Sequence, residues 1–176
     1  MDPIEIALKE YEAIRQEILT SMNNRVSILS FGVAAIGAIF TASIAVFTSD
    51  RVLSGLMLTV AVPAIDSFIL FMWLGEYQRM QRAGKFLVVL EGKINEMASA
   101  TLLTWETTLR ARRSHMNYPY NITALLLVVI SIISIYLGLV TLPLSLLLKW
   151  TIGIAGLVLN LLLYVYAARS IAKLRL

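Results

Sequence analysis

Cysteine is absent from the 176 residues and histidine occurs once, at His115. These absences exclude disulfides, thiolate metal ligands and a thiol nucleophile together, and leave His115 with no partner at metal-ligand spacing. A glycine-rich phosphate loop is missing too, because the glycines are scattered through apolar runs. No carboxylates pair at a spacing that would place them across a cleft; the acids alternate with bases as on a solvated face. The sequence therefore reads as a non-enzyme with no cofactor and no metal site. Charge is lacking in a further way, since long stretches carry none at all. A hydrophobic fraction of 59% and a mean hydropathy of +0.79 exceed the roughly 45–50% apolar content of a soluble domain.

The run Val26–Ser49 has no Asp, Glu, Lys or Arg. Its apolar part, 26–47, would reach roughly 33 Å as a helix, against roughly 30 Å of bilayer hydrocarbon. Ser30, Ala34, Gly37, Ala38, Thr41 and Ala45 fall on one helical stripe, a face that another helix can approach closely. A minimal turn leads to a second span over 52–75, which contains Asp66 and Pro63. Asp near a span centre costs roughly 2.5–3.5 kcal/mol, and the segment's Val, Leu, Ile and Phe residues return about 0.3–0.6 kcal/mol each. Insertion still wins. Spans three and four are expected over 121–142 and 149–168, with Pro143 in the turn between them.

Two amphipathic stretches flank the first pair of spans. Over 3–25, Ile4, Leu8, Tyr11, Ile18 and Met22 share a face with Ile14 beside them, Asp2 and Pro3 give a helix start, and no breaker precedes the first span. Five acids in residues 1–25 argue against a signal peptide. Within 76–119, Tyr77, Met80, Gly84, Leu87, Leu90 or Glu91, Ile94 and Met97 step by three and four; a break near 99–106 and a short basic helix follow. The mixed charge of the first stretch argues against a membrane-lying helix, and a helical bundle of the two is favoured. The tail 169–176 is basic and interfacial.

Of the fifteen Lys and Arg residues, thirteen fall in 3–25, 76–119 and 169–176, and two, Arg51 and Lys149, in the short turns. Positive residues stay inside, so both termini are expected in the cytoplasm. The net charge of +4 is explained by this topology, and no nucleic-acid partner is implied.

Asp66 stands out, because an ionisable group within a span usually faces the protein interior or an ion path. Asp66 and Asn160 lie at similar depth, roughly 12–14 Å from the cytoplasmic ends of their helices, with Ser67 and Ser131 in nearby layers. This polar layer reads as the lining of an oligomeric pore, as a hydrogen-bonded clasp between helices, or as a proton relay. Ser30, Ala34, Gly37, Ala38 and Thr41, with Gly153 and Gly156, are candidate helix-packing positions. Trp105, Arg110, Arg112 and Arg113 make a juxtamembrane cluster, read as a pocket for an anionic ligand or lipid headgroup, or as simple anchoring.

The segments Glu10–Ile18, Leu74–Met80 and Leu103–Glu106 resemble pieces of a widespread group of small prokaryotic membrane proteins. The layout of residues 1–100, helix then paired spans then helix, is similar to SLATT-type membrane effectors of prokaryotic defence systems, although this chain adds a second pair of spans. The likeness implies an effector that assembles and perturbs permeability. Taken together, the expectation is an all-α integral membrane protein with four transmembrane helices in two hairpins, the first two extended into a cytoplasmic bundle. It would sit in a prokaryotic inner membrane as a homo-oligomeric pore- or channel-like effector, or as a non-conducting scaffold recruiting a cytoplasmic protein partner.

Overall fold

The computed structural model describes residues 3–111 and 118–173. These are helical apart from short connections: α1 (Pro3–Val46), α2 (Arg51–Leu56), a π turn (Met57–Ala61), α3 (Val62–Met97), α4 (Trp105–Ala111), α5 (Tyr118–Thr141) and α6 (Leu146–Lys173). Four helices are long and apolar enough to cross a membrane, with Arg51–Met97 counted as one. The chain is thus an all-helical integral membrane protein by length and composition. The first helix runs unbroken through the end of its apolar run, as the absence of a breaker requires. The chain divides into two compact units, a polar one of Met1–Val26 with Gly75–Pro119 and an apolar one of Ser27–Leu74 with Tyr120–Leu176.

In the polar unit, α1 and α3 run antiparallel, with Tyr11 against Glu91, Glu17 against Arg79 and Asn24 against Glu76. The seam on α1 steps through Ala7, Tyr11, Ile14, Ile18 and Ser21, alternating four and three as a two-helix seam demands. Ala7, Tyr11, Leu87, Leu90 and Ile94 form its core, with Ile14, Ile18 and Leu103 packed against them. Leu8 and Met22, expected on this face, are exposed, whereas Ala7 and Ser21 are buried. The closer register selects small side chains over larger apolar neighbours one position along. On α3 the expected face is buried at Tyr77, Met80, Leu87 and Ile94, and both Leu90 and Glu91 are buried. Met97, at the helix end, is exposed.

In the apolar unit the second span is not a regular α-helix. Pro63 has no N–H, and its ring crowds the carbonyl four residues back. The helix widens ahead of it, and the Val62 N–H bonds to Met57 O, five residues back. In that register the next residue due to reach a carbonyl, that of Leu58, is Pro63 itself. Ser134 of α5 takes its place, its Oγ donating to Leu58 O at 2.6 Å in a buried setting. Glycine makes the approach possible. A Cβ on Gly138 would meet Thr59 Oγ1 and would lie 2.8 Å from both Gly55 O and Thr59 N. The widened turn and the glycine of α5 therefore fit one another.

Elsewhere in this unit, Gly32 of α1 lies against Ile69 of α3, and Ser43 Oγ meets Ser54 Oγ at 2.8 Å. Between α5 and α6, Gly153 faces Leu139 and Gly156 faces Ile135.

Candidate functional site: a polar layer inside the apolar unit

Asp66, Ser131 and Asn160 are 3%, 0% and 3% exposed, on α3, α5 and α6. The helix contacts fix their relative heights. The second span and α5 run antiparallel, with Gly55 against Gly138 and Trp73 against Tyr120; stepping between these contacts brings Asp66 opposite Leu127, one turn from Ser131. On α5 and α6, Leu139 meets Gly153 and Ile135 meets Gly156, so one further turn brings Ser131 opposite Asn160. Phe71 of α3 meets Tyr166 of α6 at 6.0 Å between ring centroids, and five residues back along both helices stand Asp66 and Leu161, next to Asn160. Three buried polar side chains from three helices thus lie within about one helical turn of a common level.

They do not satisfy one another. Asp66 Oδ1 and Ser131 Oγ are buried without a hydrogen-bond partner among the described residues. The Asn160 amide donates to Gly156 O of its own helix at 2.8 Å. Ser67, half-buried, donates to Pro63 O at 2.8 Å and so also turns to its own backbone. A carboxylate oxygen kept from water with nothing to bond costs several kcal/mol as a rough scale. It is the least compensated group in this unit.

The small-residue stripe of α1 has a different position. Ser30, Ala34, Gly37, Ala38, Thr41 and Ala45 are all exposed, and a Cβ on Gly37 would meet nothing within 4 Å. Packing within the chain uses the adjacent face, at Gly32, Ile36 and Ser43. Gly153 and Gly156 do pack within the chain, against α5.

In the polar unit, Trp105 is 60% exposed and carries the Arg15 guanidinium 6.0 Å from its ring centroid. The Arg110 side chain, Arg112 and Arg113 lie outside the described residues.

What the sequence reading missed in this unit is Glu91, which is 0% exposed. Its carboxylate accepts from Tyr11 Oη at 3.1 Å, from the N–H groups of Glu106 and Thr107 at 2.8 and 2.9 Å, and from Thr107 Oγ1 at 2.7 Å. It thereby caps the start of α4, where unpaired N–H groups favour an anion. Burial pushes the Glu91 carboxyl upward, but the bonds from Thr107, Glu106 and Tyr11 outweigh it and hold the group below its usual range. Asn95 completes the clamp. Its Oδ1 accepts from the Leu102 and Leu103 N–H groups at 2.8 and 2.9 Å, and its Nδ2 donates to Leu103 O at 2.7 Å. The available signal was an acid inside an apolar three-four stripe, followed by Thr-Trp-Glu-Thr.

No protein-family model matches the chain, nor does any curated protein or solved structure.

Proposed function

We propose that the protein is a self-associating, pore- or channel-like membrane effector in which the layer of Asp66, Ser131 and Asn160 is the point where ions cross. The observation that carries this is the buried Asp66 oxygen without a partner. A clasp would have spent the Asn160 amide or a serine hydroxyl on that carboxylate; the amide and Ser67 instead bond their own helices. An intramembrane acid left uncompensated is costly unless its charge or its proton has a use. Since Asp66 is buried within a single chain, the crossing point belongs inside each protomer, and a ring of carboxylates around a shared axis is the less favoured arrangement.

Self-association is supported by the outward stripe on α1, where small residues leave room for a second helix. The distribution of Lys and Arg supports placing both termini and the polar unit in the cytoplasm, and the resemblance to small prokaryotic membrane proteins supports a plasma-membrane setting. There the α1–α3 seam and α4 would serve assembly or sensing. The rival reading, a non-conducting scaffold that recruits a cytoplasmic partner, draws on the tight glycine contacts of α5 with its neighbours, which leave little room for water. Ion flux from liposomes, compared between the natural chain and Asp66→Asn, separates the two readings.

A further inference from the structure

A groove of about 480 Å³ lies between α5 and α6. Ile135, Leu139, Gly153 and Leu157 are among the residues that form its apolar length, and Lys149 and Trp150 line it near the start of α6. The lining on α6 runs from Leu146 to Leu157, roughly 16 Å along the axis. That is about half of a hydrocarbon core of roughly 30 Å, the depth of one leaflet. Lys149 is half-buried, and no carboxylate pairs with its ammonium among the described residues. Trp150, 65% exposed beside it, has the amphipathic ring that settles at headgroup level.

We propose that this groove is a phospholipid site, holding one acyl chain of an anionic lipid with its phosphate paired to Lys149. The apolar length sets the chain, and the single unpaired cation at the rim sets the headgroup charge. The leaflet is the one at the α5–α6 turn. This inference stands apart from any conduction through the Asp66 layer.

The test is native mass spectrometry of the full-length protein in mild detergent, titrated with phosphatidylglycerol or phosphatidylcholine. Phosphatidylglycerol should be retained about fivefold better, the scale expected for one basic residue at a lipid surface. Lys149→Gln should erase that preference while one lipid of either kind still binds, and Gly153→Phe should fill the groove and lower retention of both. Arg51→Gln, at the other turn, should change nothing. Lys149→Gln alters only a charge at the groove rim, so it decides the matter even if Gly153→Phe does not fold. Equal retention of the two lipids by the natural chain would overturn the proposal. So would a preference that survives Lys149→Gln or is lost with Arg51→Gln.

Discussion

Tyr11 donates its hydroxyl to Glu91 across eighty residues of chain, and the same carboxylate accepts the first N–H groups of α4. One buried acid thus joins three helices of the polar unit. Glu91→Ala leaves those donors without an acceptor and should cost on the order of 3 kcal/mol, whereas Tyr11→Phe, which removes one donor, should cost about 1 kcal/mol. Amide exchange at Glu106 and Thr107 reads this locally. Both amides should lose protection in Glu91→Ala, while amides in the middle of α5 should not.

The same bond has a pH signature. The Glu91 carboxyl is held below its ordinary 4.5 in the folded protein. Its contribution is therefore complete above pH 4.5 and is lost as pH falls through the lower folded value. Tyr11 acts at the other end of the scale. Burial first, and then the neighbouring Glu91 carboxylate, raise its hydroxyl above 10.0, so its contribution holds below pH 10.0 and fades as pH rises through the folded value. Exchange at the Thr107 amide should accelerate beyond the intrinsic trend as pH falls below 4.5, and Glu91→Gln should abolish that extra acceleration.

Ser134 and Pro63 should be energetically coupled, although they do not bond each other. Ser134→Ala strips the buried Leu58 carbonyl of its donor and should cost about 1–3 kcal/mol. Pro63→Ala restores a backbone N–H in the widened turn. In that background the Ser134→Ala loss should shrink, giving a coupling of about 0.5–3 kcal/mol in a double-mutant cycle of thermal unfolding in detergent. Simple additivity would mean that the serine does not stand in for the missing N–H.

Gly138 and Gly37 are both glycines within apolar helices, yet substitution should affect them oppositely. Gly138→Leu drives side-chain atoms into the Gly55 and Thr59 backbone and should destabilise the fold by more than the roughly 1–3 kcal/mol of ordinary overpacking. Gly37→Leu points into open space and should leave the unfolding temperature nearly unchanged. If the stripe joins protomers, Gly37→Leu should instead lower the mass measured by light scattering in mild detergent.

Much of the membrane part was readable from residue order. Charge-poor runs mark the spans, and residue counting puts Asp66 and Asn160 at similar depth with Ser131 in a nearby layer. Contacts that depend on side-chain size and backbone register were not readable. Hydropathy favours Leu8 and Met22 over Ala7 and Ser21, but helix approach rewards the smaller pair. The stripe on α1 was visible as a pattern, whereas which face turned inward depended on where Ile69 meets Gly32. Pro63 is visible in the sequence, but the group that serves the carbonyl it leaves unpaired, a hydroxyl from Ser134, comes from a helix seventy-odd residues away. Glu91 looked like an interruption of an apolar face because the N–H groups it serves belong to α4, beyond a break in the helical pattern.

The central claim is that the Asp66 layer carries ions, and flux from sealed liposomes tests it most directly. The natural chain, reconstituted at known protein-to-lipid ratio, should dissipate a cation gradient, and Asp66→Asn, folded to the same helicity, should lose most of that flux or its preference for cations. An Asp66→Asn protein that conducts as the natural chain does, or a natural chain that remains monomeric and passes no ions, would contradict the account.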